Sequence, residues 1–290
     1  MTPPPEETPE GESVRSAQRT QEPDPPLPPG REDGEGEPRS VAKEKAPRRI
    51  SWQQWVVLPV FVAVVLTVTL VWIGNLDLDS LAENAISDGK VQTALVQHIQ
   101  LTVISTVFVL VIAIPLGILL TRKSLRRASP FVMTLANIGQ AVPAIGLLAL
   151  LVVWLGIGRT PALIGIIAYA VLPVLSNTIA GLQATDPGLI DAARGIGMSP
   201  LGVLRKVELP LAVPLILAGV RTALVLNVGT ATLATFGGGG GLGDIISSGI
   251  YNQRMPVLVL GSVLTVALAL IVDWLASLAE RLLRPRGLEA

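Results

Sequence analysis

Residue types that could carry out chemistry are scarce in this chain of 290 residues. It contains one histidine, His98, and no cysteine, so disulfides, thiolate nucleophiles and thiolate-bound metals are excluded. The carboxylates of its apolar segments are scattered rather than clustered, which leaves no pair for acid–base catalysis and no set of oxygens for a metal ion. We therefore predict no catalytic residue, no metal site and no cofactor on this chain.

A run of glycines is the other feature with chemical potential. Gly237–Gly241 and Gly243 could present backbone amides to a phosphate group. A phosphate loop also needs Lys and then Ser or Thr after its last glycine, whereas Leu242, Gly243 and Asp244 stand there. A bend or a close backbone crossing is the favoured interpretation. His98 begins an apolar segment, where an interfacial position is favoured over a proton relay.

The composition indicates a membrane protein. Half of the residues are hydrophobic, 15% are charged, and the mean hydropathy is +0.58. A helix needs about 20 apolar residues to cross a bilayer, and helices satisfy their own backbone groups in lipid. The sequence predicts an all-α, multi-pass protein surrounded by membrane lipid, with no nucleic-acid partner. The six predicted spans lie near residues 56–74, 99–120, 131–156, 161–181, 211–235 and 256–279.

Residues 1–50 differ from the rest of the chain. They are rich in proline and glutamate and have few large apolar side chains, so they cannot offset the entropy of ordering. We predict a disordered cytoplasmic tail over residues 1–50 and a transmembrane domain over residues 51–290. The tail has no apolar core typical of a secretory signal. A solvated extension is favoured over a regulatory or binding role.

Basic residues indicate the orientation of the spans. Lys and Arg concentrate before the first span, after the second, the fourth and the sixth, and cytoplasmic connections carry this excess. The sequence therefore predicts that both termini, and the connection at residues 182–210, lie on the cytoplasmic side of the cell membrane. The basic residues concerned are Lys43, Lys45, Arg48, Arg49, Arg122, Lys123, Arg126, Arg127, Arg194, Arg205, Lys206, Arg281, Arg284 and Arg286.

The connection at residues 182–210 has the pattern of a helix–turn–helix. Asp186-Pro187 and Ser199-Pro200 each combine a capping side chain with a proline that fits the first helical turn. Gly195 or Gly197 can end the first helix, because glycine tolerates a left-handed backbone. Small residues on such a helix permit close docking to a partner, although an interfacial helix without a partner has the same pattern.

This connection resembles the EAA loop of ABC importer permeases. The resemblance implies that it transmits movement from a separate, ATP-binding ATPase subunit, and that Ala193 faces the groove of that ATPase. Asp191 stands where the family usually has Glu. The residues that match the loop are Asp191, Ala192, Ala193, Gly197, Leu209 and Pro210.

The resemblance extends over about residues 95–280, to permeases of the glycine betaine, carnitine, choline and proline uptake systems. The matching segments are NIGQAVP at 137–143, YAVLPVLSNTIAG at 169–181 and ATLATFGGGGGLGD at 231–244. Ala141, Ala144 and Ser176 depart from the usual Thr, Ser and Arg. The resemblance implies a type I-like ABC importer permease fold, ATPase subunits, a second permease subunit, identical or paralogous, and an external solute-binding protein.

The solute remains open at this point. Quaternary amines are commonly held by aromatic faces, and only 4% of the residues are aromatic, so an external binding protein is expected to supply affinity. One alternative is a permease for another small solute such as methionine. The other is an ion-coupled secondary transporter, which is disfavoured because the spans carry few titratable groups.

A few polar residues fall inside the predicted spans. Arg221 and Asp273 lie at similar depth, and because intramembrane charges are costly, an ion pair or snorkelling of Arg221 is favoured over contact with solute. Asn137, Gln140, Pro143 and Asn177 are candidates for lining a pathway. For the three amides, hydrogen bonds between helices are an equal alternative.

Overall fold

The structure is a computed structural model that describes residues 53–87 and 89–283. Every regular element in these residues is helical, as the composition predicts, whereas the predicted tail lies outside them. The helices are α1 (Gln53–Gly74), α2 (Ser80–Ile86), α3 (Lys90–Thr121), α4 (Ser129–Ala141), α5 (Ala144–Leu155), α6 (Arg159–Gln183), α7 (Pro187–Gly195), α8 (Pro200–Val203), α9 (Leu209–Ala231), α10 (Leu242–Tyr251) and α11 (Met255–Leu283). A π-helical turn, Leu204–Glu208, joins α8 to α9, and a 3₁₀ turn, Thr232–Gly237, follows α9.

Five helical segments of the described residues are long and apolar enough to cross a membrane. The third predicted span, 131–156, is wrong as a single helix, because α4 and α5 meet at an angle of 94°. Pro143 causes the break. Proline lacks a backbone N–H and disfavours helical backbone in the residue before it, and Val142 accordingly adopts φ −69° and ψ 129°. Counted as one broken span, the pair brings the total to six.

The second predicted span begins too late. Hydropathy places its start near residue 99, but α3 begins at Lys90 and runs for 32 residues. Its first turns carry polar residues and still remain helical because one face is buried inside the protein. Ala94 packs there in a cluster with Ala82 of α2 and with Leu242 and Ile245 of α10.

The centre of the bundle consists of α3, α6 and α9. Val109, Ala170 and Val174 belong to its largest buried cluster. Glycines let α6 and α9 approach closely, as small residues do between membrane helices. A Cβ added to Gly219 would lie 2.9 Å from the carbonyl oxygen of Pro173, and one added to Gly181 would lie 3.0 Å from that of Ala212. Larger residues at these two positions would push the central helices apart.

Candidate coupling site and polar residues of the bundle

Both short helices of the 182–210 connection begin as the sequence predicts. Asp186 Oδ1 accepts a hydrogen bond from the Gly188 amide at 2.8 Å, and Ser199 Oγ accepts one from the Gly202 amide at 3.2 Å. A proline follows each capping residue at the first helical position. These caps satisfy amides that would otherwise lack partners, so the connection is well defined locally.

Gly197, rather than Gly195, provides the left-handed residue that ends α7. Its φ is +87°. The Met198 amide donates to the Ala193 carbonyl at 3.1 Å, and the Gly197 amide donates to the Arg194 carbonyl at 2.9 Å. These two bonds form a Schellman motif, which requires a positive φ at the residue after the helix cap. The turn between the two short helices therefore depends on a glycine at position 197.

The outer face of α7 differs from the expected one. Ala193 is only 7% exposed, so the expectation that it faces a partner groove is wrong, and its methyl group packs within this chain. Leu189 and Ile196, at 51% and 78% exposure, share the exposed face with Ala192. Asp191 is also exposed and lies 3.6 Å from the Arg194 guanidinium. The surface available for docking is therefore an apolar stripe flanked by Asp191.

The connection is joined to α9 without a flexible break. The Leu209 amide donates to the Leu204 carbonyl, five residues earlier. Pro210 explains this wide turn, because a proline ring clashes with the carbonyl four residues before it and supplies no N–H, and a π-helical turn removes that clash. Leu209 and Pro210 thus mark the place where the short helices merge into α9. A displacement of the short helices must therefore displace α9 as well.

An ion pair missed by the sequence analysis lies beside this turn. Glu208 is 4% exposed, and its two carboxylate oxygens accept from the two terminal nitrogens of Arg122, the residue that caps α3. Little in the sequence signals this contact, because Glu208 stands among the exposed Arg205 and Lys206. The π-helical turn shifts the register and turns its carboxylate inward.

Arg221 of α9 and Asp273 of α11 form the pair that their matched depth predicts. Arg221 Nε lies 2.6 Å from Asp273 Oδ1, and its Nη2 lies 2.7 Å from Oδ2. The bidentate geometry offsets the cost of placing two charges within membrane-spanning helices. This contact fixes α11 against α9.

The candidate pathway residues are only partly brought together. Asn137, Gln140 and Pro143 are exposed on α4 and at its break. Gln140 donates to the Tyr169 carbonyl at 2.9 Å, and the Tyr169 hydroxyl donates to the Val142 carbonyl, so this corner of α4 is fastened to α6. Asn177 donates to the Pro173 carbonyl of its own helix at 2.8 Å. A role in the pathway stays a prediction for all four.

His98 is completely buried, so the interfacial interpretation is wrong. Its Nε2 lies 3.0 Å from the Val228 carbonyl, and its Nδ1 accepts from the Leu242 amide at 3.3 Å. The 3₁₀ turn that begins at Thr232 leaves the Val228 carbonyl free for the first bond, since the Thr232 amide donates to the carbonyls of Gly229 and Thr230 instead. His98 thereby joins α3 to α9 and α10.

The glycine run makes the close backbone crossing that the sequence favours over a phosphate loop. Gly238, Gly240 and Gly241 have φ values of +75°, +78° and +103°. A Cβ added to Gly243 would lie 2.0 Å from the Thr232 carbonyl oxygen, which is shorter than any permissible contact. The Gly241 amide donates to Gln97 Oε1 at 3.1 Å, so the side chains of Gln97 and His98 together cap α10.

We expect His98→Leu to destabilise the protein by about 2–4 kcal/mol, because the substitution leaves a buried amide and a buried carbonyl without partners. The measurement is the thermal unfolding of the purified protein in detergent. Replacement of the exposed neighbour Ile99 by Leu is the control and should leave the unfolding temperature unchanged. Equal stability of the two variants would show that the His98 hydrogen bonds contribute nothing.

Another ion pair lies at the other end of the bundle from the 182–210 connection. Asp79 caps α2 by accepting from the Ala82 amide at 3.0 Å, and Arg254 Nε donates to its second oxygen at 2.6 Å. The hydrogen bond from Arg254, with that from Ala82, lowers the pKa of the Asp79 carboxyl below its usual value. The Asp79 carboxylate therefore remains ionised at neutral pH, and the pair links α2 to the start of α11.

A capped helix–turn–helix fused to a spanning helix, in a bundle of about six spans, defines a class of membrane transport subunit. Residues 113–285 match the family described as binding-protein-dependent transport system inner membrane component. The match covers more than half of the chain. The chain belongs to this family, and it is an all-α permease subunit of the ABC importer class.

Individual relatives agree with this assignment. Over 193 residues the chain is 38% identical to the choline transport system permease protein OpuBB of Bacillus subtilis (strain 168), which covers 67% of this chain and 88% of that protein. It is 42% identical over 189 residues to the osmoprotectant import permease protein OsmY of Salmonella typhimurium, covering 65% and 80%. Among solved structures, the inward-facing MetNI methionine ABC transporter matches with a TM-score of 0.60 and 25% identity over 68% of this chain and 97% of that chain.

Proposed function

We propose that this chain is the permease subunit of an ATP-driven importer for a small compatible solute or quaternary amine, such as glycine betaine, choline, carnitine or proline. The support is the set of relatives whose names specify choline or osmoprotectant transport, at 38% and 42% identity over most of their length. Methionine, the solute in the name of the structural relative, is the second candidate, and its support is weaker because the identity is 25%.

ATP would bind and be hydrolysed on separate ATPase subunits that dock on α7. The observation that supports this most is the exposed apolar stripe of Leu189, Ala192 and Ile196, on a short helix whose connection to α9 contains no flexible break. Closure of the ATPase subunits around ATP would draw the docking helices together and open the pathway outward. Hydrolysis would reset them. No chemical step falls on this chain.

A second permease subunit, identical or paralogous, would complete the pathway. Asn137 and Gln140 on α4 and Thr222 on α9 are exposed polar residues of apolar helices, and such side chains favour protein or water over lipid. A facing subunit would cover them and enclose a polar route. An external solute-binding protein would deliver the solute, which agrees with the low aromatic content of the permease.

The orientation follows from the same basic residues. Arg122, Lys123 and Arg126 border the connection that carries α7, and by the positive-inside rule this excess of Lys and Arg would put both termini and the docking helices in the cytoplasm. The end that carries the Asp79–Arg254 pair would then face outward, towards the solute-binding protein.

Uptake in reconstituted liposomes tests the proposal. The permease is combined with its partner permease, ATPase and binding protein, and labelled glycine betaine, choline, carnitine, proline and methionine are supplied in turn. We expect ATP-dependent uptake of at least one of the first four. Preferential uptake of methionine would replace the solute assignment. Uptake that needs an ion gradient but no ATPase would overturn the importer class.

We predict that residues 1–40 are dispensable for insertion and transport. Deleting them while retaining Lys43, Lys45, Arg48 and Arg49 should leave uptake near the wild-type rate, because those four basic residues set the orientation. Membrane levels and solute uptake are the two measurements. Loss of uptake at normal membrane level would reveal a specific role for the tail.

A further inference from the structure

The Arg122–Glu208 pair lies where the 182–210 connection, called here the docking connection, meets the bundle. Arg122 caps α3, and its guanidinium is also held by the Ile118 carbonyl at 3.3 Å and by Thr121 Oγ1 at 3.0 Å. Glu208 ends the π-helical turn that leads into α9. Both residues line an open cleft of about 860 Å³ together with Ile190 and Asp191 of α7. The pair therefore bridges α3 and the root of the docking connection.

The chemistry of this contact is unusual for a purely structural link. Among the residues that the structure describes, Glu208 is the only acidic residue that is buried. Burying a carboxylate is unfavourable unless it is paired, and apolar packing usually stabilises a helix contact as well as a buried ion pair does. An ion pair has directional bonds, which apolar packing lacks. These bonds keep two helices in register while the helices move.

The opposite end of α3 contacts α9 and α10. Gln97 and His98, on the same helix as Arg122, hold the start of α10 and the end of α9. From His98 to Arg122 the helix spans about 36 Å at 1.5 Å per residue. A displacement that enters α3 at Arg122 thus reaches the glycine-rich crossing at the opposite end of the bundle.

We propose that Arg122 and Glu208 are positioning residues that carry the movement of the docking helices into α3, so that α3 and α9 move together during transport. This inference rests on the proposed ATP-driven import. Without the pair, movement of α7 and α8 still reaches α9 through the π-helical turn. It then reaches α3 only through apolar packing, which holds the register of the helices less firmly, so more ATP is hydrolysed without the matching movement of α10.

The absence of cysteine from the chain permits a direct experiment. Arg122→Cys and Glu208→Cys are combined, and the complete complex is reconstituted in liposomes with its ATPase, partner permease and binding protein. Solute uptake per ATP hydrolysed is measured with free thiols, after joining them by a short cleavable bismaleimide, and after cleavage. We expect this ratio to fall about tenfold with free thiols, to recover when they are joined, and to fall again after cleavage.

Two single variants and their controls complete the test. Glu208→Gln and Arg122→Gln should lower the same ratio while ATPase co-purification stays normal. Arg127→Gln and Glu83→Gln remove exposed charges near Arg122 and at the other end of the bundle, and should leave it unchanged. A wild-type ratio in the single variants, or equal ratios with free and joined thiols, overturns the inference. If the wild-type complex shows no ATP-dependent uptake, the proposed function itself fails.

Discussion

Gly197→Val should abolish solute uptake and ATPase co-purification while the permease still inserts at its normal level. Valine opposes a φ of +87°, at a cost of about 1–3 kcal/mol for the strained backbone. This cost falls on the turn that ends α7, the helix whose outer face carries the exposed apolar stripe. Insertion is unaffected because the spans decide it. Uptake, co-purification and membrane level are the three measurements.

Alanine variants distinguish the effect of backbone strain from the effect of side-chain bulk. A Cβ added to Gly197 or to Gly195 has no neighbour within 4 Å, but only Gly197 has a positive φ. Gly197→Ala should therefore impair ATPase binding, whereas Gly195→Ala should behave as wild type because alanine favours the helix. If Gly197→Val and Gly197→Ala both retain full uptake and full ATPase binding, the coupling role of this connection is wrong.

The structure changes the interpretation of a related substitution. If Ala193 faced a partner groove, as the resemblance implied, Ala193→Asp would obstruct docking, but Ala193 is buried within the chain. The aspartate would instead place a carboxylate without a partner inside the packing of the docking connection. Ala192→Asp, on the exposed stripe, is the variant that tests docking directly. It should reduce ATPase co-purification without lowering the stability of the isolated permease.

Local chemistry determined which features the sequence could predict. The starts of α7 and α8, the left-handed Gly197 and the break near Pro143 each depend on one or two neighbouring residues, although the bend at Pro143 was not predicted. The burial of Ala193, Glu208 and His98 depends instead on which face of a helix meets other elements. One sequence does not specify that face for a helix with apolar residues on several sides.

The length of α3 shows the same limit. Hydropathy detects its apolar centre, while its first turns are helical because Ala94 packs against α2 and α10. The π-helical turn is a further case, since Pro210 signals a disturbance of the helix but not its form. The π-helical geometry directs the Glu208 side chain inward. Because the sequence does not predict this geometry, it does not predict the Arg122–Glu208 contact either.

Arg221→Ala and Asp273→Ala should each destabilise the permease by about 2–3 kcal/mol, because each substitution leaves one charge without its partner inside the bundle. The double variant should recover part of this loss, since it leaves neither charge behind. Thermal unfolding in detergent or in lipid nanodiscs provides the four free energies of a double-mutant cycle. A large favourable coupling between the two sites is the expected result.

The Arg254–Asp79 pair is a matched control for this cycle. It joins the same two residue types with a similarly short bond, but it lies outside the spanning segments, where water screens both charges. Coupling between surface charges is small, so the control cycle should be close to additive. If the Arg221–Asp273 cycle is also additive, the contact does not stabilise the fold.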